Sequence, residues 1–403
     1  MSTSIRNIIL LALCQALYSS SASLIVSSSA IVGKALAFDP RLTTLPISLL
    51  FLATMLTAFP ASMLMKHIGR KYGFIIGAAL GFAGAGICAF AISIDHFWLF
   101  AMGSVGLGSF AGFAQFYRFA AADVADEANK NRAISLVLSG GILGAFLGPN
   151  LAVWSRTLLN RPFHASYLVL LGVYVVTILF LSLARIPRVS EENFSQEPRP
   201  LRRIARQPAF LVAVLGATVG HGVMVLLMTA TPLAMDVCNF TFANTAMVIQ
   251  WHIVGMFAPS FFTGDLIKRF GNLNIMMVGG ALQIACILVN IAGTQIHNFL
   301  PALIVLGMGW NFLFIGGTSL LTETYNASEK AKVQGANDLI VFTLVTVFAL
   351  TSGALHSTLG WEKLNMFALP LVLGTVSVTL WLKIRRSRRP AGGAVTPQLA
   401  SDL

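Results

Sequence analysis

Residues 62–73 read SMLMKHIGRKYG and residues 264–274 read GDLIKRFGNLN, so that Lys66-His67-x-Gly69 lies over Lys268-Arg269-x-Gly271 at an offset of 202. Each is a short basic gap between two long apolar runs. With the same offset, NKNRAISL after the fourth apolar run falls opposite KAKVQGAN after the tenth. A chain that repeats its own gaps at half its length is built from two like halves.

The material between the gaps sets the solvent. Of 403 residues, 56% are hydrophobic and 10% charged, with a mean hydropathy of +0.78, whereas a soluble domain carries roughly 25% charged residues. Twelve apolar segments follow one another, at about 8–32, 45–65, 72–92, 97–121, 133–155, 165–185, 208–233, 241–265, 273–293, 299–321, 333–355 and 364–383. Each is near the ~20 residues that a helix needs to cross a bilayer. The runs are continuous rather than alternating, which excludes barrel strands. The fold class expected is therefore all-α and polytopic.

The longest polar stretch, IPRVSEENFSQEPRPLRRIARQ at 186–207, divides the segments six and six. This gives a first bundle at 1–185, a linker at 186–207, a second bundle at 208–389 and a disordered tail at 390–403. Placing the amino terminus in the cytoplasm puts 21 basic residues on that side, 5 on the other and only Arg118 within a span. Such a bias orients both termini to the cytoplasm of a bacterial inner membrane. The net charge of +12 sits in these gaps, without an aromatic-interleaved basic face, so nucleic acid is not the partner. Arg6, the apolar stretch after it and the small residues near Ser21 imitate a cleaved leader, but removing segment one would leave an odd number of spans.

Four scattered cysteines with no CxxC pair and seven histidines with no HExxH spacing point to neither a disulfide framework nor a metal site. No G-x-x-x-x-G-K-[ST] run offers ATP as a drive, no convergent catalytic group suggests an enzyme, and no cofactor is implied.

With these gaps in hand, the chain resembles the major facilitator superfamily. The family's gap between helices two and three is roughly G-x-x-x-D-R-x-G-R-[RK]. Here Gly69, Arg70 and Lys71 match its end, while Lys66 stands at the acidic position, as Lys268 does in the second half beside Gly271. Segment five carries Gly144-x-x-x-Gly148-Pro149, similar to the core of the family's antiporter signature. Physically, the two glycines permit a close helix approach and the proline bends the helix. The resemblance implies twelve helices in two pseudo-symmetric six-helix bundles around a central pathway, alternating access and a monomer.

Polar side chains are costly in hydrocarbon and collect where water or protein meets them. Segments three, six and twelve are almost purely apolar, as the family's outer helices are; among those outer helices only segment nine, with Gln283 and Asn290, departs. The polar load elsewhere supplies the pathway candidates: Gln15, Tyr18, Ser19, Gln115, Arg118, Asn150, His221, Trp251, His252, Trp310 and Asn311. Segment one adds seven serines between Ser19 and Ser29, read either as a tight packing face or as a wall facing water, with the Ser19 side expected to line the pathway. His221 and His252 fall near the midplane, where a titratable ring suits a proton carrier. Asp338, one to two turns into segment eleven, is the acid expected to join them and to pair with Arg118 or Lys66 when the cytoplasmic side shuts. Asp123, Asp126, Glu127 and Arg132 are assigned to a solvated cytoplasmic loop.

The expected function is secondary active transport of a small organic solute, coupled to protons and, on the segment-five signature, leaning to efflux by antiport. Uptake of a vitamin (riboflavin-like, for example), a siderophore or a similar nutrient is the alternative. A passive channel or a membrane sensor is the reading from another class.

Overall fold

The chain is described by a computed structural model covering residues 3–124, 130–186, 199–326 and 329–388. Most of the expected linker (187–198), the tail at 390–403 and the Lys66 side chain lie outside the described residues. The helices are α1 (Thr3–Leu36), α2 (Leu45–Ile68), α3 (Arg70–Ser93), α4 (Phe97–Ala114, continued by Tyr117–Val124), α5 (Lys130–Ser155) and α6 (His164–Leu183). After the short helix Leu201–Ala205 come α7 (Pro208–Val237), α8 (Phe242–Phe257 and Ser260–Phe270), α9 (Asn272–Ala292) and α10 (Ile296–Thr322). The 58-residue run Lys330–Ser387 is broken by Gly360 at φ 79° into α11 (330–359) and α12 (361–387).

By length and composition nine helices among the described residues can cross a membrane, or ten with the two pieces of α8 taken together. That figure counts the 58-residue run once and leaves out the 26-residue α5. Including α5 and dividing the run at Gly360 gives twelve spanning helices. The number is even, so Thr3 and Ser387 emerge on one side, termed the terminal side, and the other is the far side. One expected segment is not a single rod: α8 bends by 41° between its two pieces, where Pro259 cannot donate to the helical ladder.

The repeat is visible in backbone geometry. Gly69, between α2 and α3, adopts φ 90°, ψ 153°, and Gly271, between α8 and α9, adopts φ 83°, ψ 153°. Only glycine enters this region without strain, so both halves turn on the same hinge 202 residues apart. Arg70, after the first hinge, pairs with Asp123 at the end of α4 at 2.6 Å. Asn272, its equivalent, donates to Glu323 at the end of α10 at 2.8 Å. Asp123 is thus no loop bystander, and the correction has a plain cause: an ion pair between α3 and α4 is invisible in a one-dimensional reading.

Packing within each bundle relies on small residues, as helix association in lipid must. A Cβ added at Gly84 of α3 would lie 2.6 Å from the Gly103 carbonyl of α4, and one added at Gly279 of α9 would lie 2.9 Å from the Gly309 carbonyl of α10. The polar residues of α9 are fasteners between helices. Gln283 donates to the Gly220 carbonyl of α7 at 2.8 Å, and Asn290 donates to Asn365 of α12 at 2.9 Å. The two cores merge along the α5–α8 seam, where Phe242 and Ala246 pack with the first core and Ala145 with the second.

Candidate functional site

The serine column is buried throughout, no member being more than 5% exposed. Gly144 and Gly148 of α5 press on it: a Cβ at Gly144 would run into Ser19, and one at Gly148 into the Ser20 carbonyl. Ser20, Ser27 and Ser28 donate to carbonyls one turn back at 2.7–2.8 Å, a local solution open to any helical serine. Ser21 shares a 2.7 Å hydrogen bond with Tyr174 of α6. Gln15 donates to Ser19 at 3.3 Å. Ser19 therefore sits within the α1–α5 contact, and the run ending in Pro149 is the other half of that contact.

In the second bundle the sequence Val219-Gly220-His221-Gly222-Val223 sets the centre of α7. A Cβ at Gly220 would lie 2.8 Å from Leu313 of α10, and one at Gly222 would lie 3.0 Å from Leu344 and Phe348 of α11. The two glycines seat α7 between those helices and leave His221 among aromatic rings. Its ring centroid is 5.5 Å from Trp310 and from Phe314, both edge-on, and 5.9 Å from Phe342. Trp310 and Phe314 stack at 5.2 Å with an 11° tilt, and Phe257 closes on Trp310 at 6.4 Å. The box holds two ring nitrogens without hydrogen-bond partners, His221 Nδ1 and Trp310 Nε1. Trp310 is 9% exposed while His221 retains partial exposure. Such unpaired groups are costly when buried. His221 is the fourteenth residue of the thirty in α7, which puts it near the middle of the span.

Other candidates have different settings. His252 is fully buried and donates from Nδ1 to the Leu303 carbonyl of α10 at 2.7 Å, so it ties α8 to α10. Asn311, also fully buried, spans the break in α8 by donating to the Met256 carbonyl and to Ser260 and accepting from Thr263, each at 2.7 Å. Lipid cannot solvate a broken ladder, and Asn311 donates to the Met256 carbonyl at the break. Trp251 is exposed and meets Phe146 edge-on at 6.3 Å. Asn150 shares its exposed stripe with Leu143, Leu147 and Trp154 and donates to Gln250 across the α5–α8 seam at 2.8 Å.

Tyr18, Gln115 and Arg118 gather on the first bundle. Gln115 donates to the Tyr18 hydroxyl at 3.4 Å, and the Arg118 guanidinium lies 4.8 Å from the centre of the Phe119 ring. Asp338, exposed on α11, acts electrostatically on Arg118 across the gap between bundles. No ion pair joins them; Asp338 accepts from Asn337 at 3.1 Å. At the gap residues, Lys71 donates to the Ser182 carbonyl at 2.6 Å and Lys268 stands 3.8 Å from Asp265.

The seam between bundles is fastened unevenly. Lys34 pairs with Asp236 at 2.6 Å, Thr44 donates to the Leu350 carbonyl at 3.2 Å and accepts from Gly353 N at 3.2 Å, and Arg156 lies 5.2 Å over Phe242. All of these lie at far-side helix ends. The Met55–Thr343 contact at 3.6 Å is at mid-span. Among the described residues, no hydrogen bond or ion pair joins the bundles on the terminal half. A pocket of about 230 Å³ opens at the far-side seam between Ile31, Arg156, Asp236 and Phe242. Asp236 lies fifteen residues, roughly 22 Å, along α7 from His221, so this pocket is separate from the aromatic box.

Comparison with known proteins agrees with the architecture. Residues 11–350 match the profile of the Major Facilitator Superfamily. The chain is 38% identical over 392 residues to the riboflavin transporter RfnT of Brucella anthropi, covering 96% of this chain and 97% of that one. It is 25% identical over 379 residues to YdeG of Bacillus subtilis, an uncharacterised MFS-type transporter, covering 89% and 88%. Among solved structures it is similar to FucP, an MFS transporter crystallised in the outward conformation, with a TM-score of 0.64 and 18% identity over 95% of this chain and 99% of that one. This last likeness is one of fold. A helical membrane chain with a duplicated six-helix plan, matched along nearly its whole length by transporters, belongs to the Major Facilitator Superfamily and moves a small molecule across the membrane.

Proposed function

We propose that the chain takes up a planar heteroaromatic vitamin of the riboflavin type by alternating access, as a monomer in a bacterial inner membrane with both termini in the cytoplasm. The observation that carries this reading is the box around His221. Trp310 and Phe314 form a flat stacking surface, and two unpaired ring nitrogens offer hydrogen bonds to carbonyl or ring-nitrogen acceptors. The riboflavin transporter RfnT, 38% identical over 96% of the chain, supports that choice of guest over an exported drug or a siderophore. The Gly144–Pro149 run, on which the leaning to efflux rested, packs α5 on α1 and carries no sign of direction.

In this reading bundles 1–185 and 208–389 rock about the midplane, joined by the linker at 186–207. The fastenings at the far side, with none between the bundles on the terminal half among the described residues, correspond to a cytoplasm-facing state. Arg118 and Asp338 then face each other across an open gap and approach when that side closes, beside the gate built from Lys66, Gly69, Arg70, Lys71, Lys268 and Gly271. Of the three side chains expected to carry protons, His221 and Asp338 keep exposure while His252 is sealed against α10, so coupling is assigned to the first two.

The test is uptake of labelled riboflavin by proteoliposomes with an imposed pH gradient. Accumulation that collapses with a protonophore supports proton-coupled import. Flux that only equilibrates, or no flavin flux beside transport of an unrelated solute, refutes it.

A further inference from the structure

We propose that the terminal-side end of α12 is a binding site for an anionic phospholipid, which holds its headgroup between Arg385 and Arg388 and lays an acyl chain along the helix. Trp381, Ile384, Arg385 and Arg388 are spaced i, i+3, i+4 and i+7, so they share one face, and they line a shallow open recess of about 390 Å³. The recess continues an apolar track. Leu373 and Leu380 occupy the same face below it and are 46% and 43% exposed, followed by Trp381 at 49% and Ile384 at 42%. A face with this order, aliphatic, then tryptophan, then paired guanidinium groups, matches the order of hydrocarbon, interface and headgroup in a leaflet.

The charges there are free to act. Arg386, pointing elsewhere, donates to Glu323 at 3.0 Å. Among the described residues no carboxylate pairs with Arg385 or Arg388. The Arg385 guanidinium lies 5.3 Å from the centre of the Trp381 ring, which holds it over the recess rather than splayed into water. Two cations at a bilayer surface attract anionic lipid by about fivefold each.

Trp381 also reports on the site. The intact protein is reconstituted with brominated phosphatidylglycerol or brominated phosphatidylcholine in a non-brominated background. Tryptophan quenching is then compared with that of Trp381→Phe to isolate the contribution of Trp381. The expected result is quenching by phosphatidylglycerol at roughly ten- to thirtyfold lower mole fraction than by phosphatidylcholine, a preference that weakens with salt and is lost in R385Q/R388Q. Those exposed substitutions leave the Arg386–Glu323 pair in place, so the variant folds. Equal quenching by the two lipids, a preference unchanged in R385Q/R388Q, or its abolition by inorganic phosphate at constant ionic strength would overturn the proposal; the last outcome would mean a free anion rather than a lipid.

Discussion

Trp310→Phe separates binding from folding because its two effects have opposite signs. Trp310 stacks on Phe314 at 5.2 Å and 11°, and a phenyl ring in its place retains most of that surface. What the substitution removes is the Nε1 donor, which has no partner in the protein. An unpaired buried donor costs about 1–3 kcal/mol, so its removal offsets the packing lost with the smaller ring, and the melting temperature in detergent should hold steady or rise. If the donor serves the guest, the affinity for flavin falls by one net hydrogen bond, about 0.5–1.5 kcal/mol, or about 2- to 13-fold. Trp310→Ala is less informative: it forfeits a stacking term of about 1–3 kcal/mol but also opens a core cavity at a cost of about 3–5 kcal/mol. The assay is the KM for riboflavin uptake in proteoliposomes, normalised to folded protein, beside thermal melting. An unchanged KM in Trp310→Phe would refute the role of the nitrogen, and a KM change matched by a loss of stability would reduce it to packing.

Three further outcomes follow from the geometry. Lys34 and Asp236 are 49% and 43% exposed, so their pair is worth at most about 1 kcal/mol; Asp236→Asn should favour far-side opening by no more than about fivefold, read by cysteine labelling at the seam, and the K34D/D236K swap should reverse it. Glu329, beneath Arg199 and 1% exposed, is held at a pKa of about 2 by hydrogen bonds from the Arg199 side chain. Because this value lies below that of an unfolded glutamate, the contribution is complete above the ordinary carboxylate range and disappears as pH falls through about 2; limited proteolysis of the linker should stay constant from neutral pH to mildly acid and increase in Glu329→Gln. Gly144→Ala drives a methyl into Ser19 and the α1 backbone, whereas a Cβ at Gly172 of α6 meets nothing within 4 Å; the first should destabilise by about 1–3 kcal/mol or more, and Gly172→Ala, a helix-interior change without a clash, should hold or raise the melting temperature.

The hydropathy of the chain carries its architecture because lipid demands long apolar helices, and a repeat survives wherever backbone geometry forces a residue. Gly69 and Gly271 are legible for that reason: both have positive φ. Polar residues within spans are less legible, because a hydroxyl or amide satisfied by a neighbour looks the same in sequence as one facing water. Ser20 bonds to its own helix and Asn311 mends α8, and neither fact can be read from residue type. Pro259 was the available signal for the break. The aromatic box was half visible. His221 and Trp310 stood out as polar rings, but Phe314 and Phe342 are ordinary members of apolar segments until the glycines on either side of His221 seat α7 against α10 and α11.

A flavin seated in the aromatic box is detected by a fluorescence titration of riboflavin with the purified protein, since an isoalloxazine ring stacked against tryptophan loses its emission. Saturable quenching is expected, retained in Asp338→Asn, weakened in Trp310→Phe and abolished when His221 and Trp310 are both replaced. Quenching that is absent from the intact protein, or identical in all of these variants, would contradict that seating.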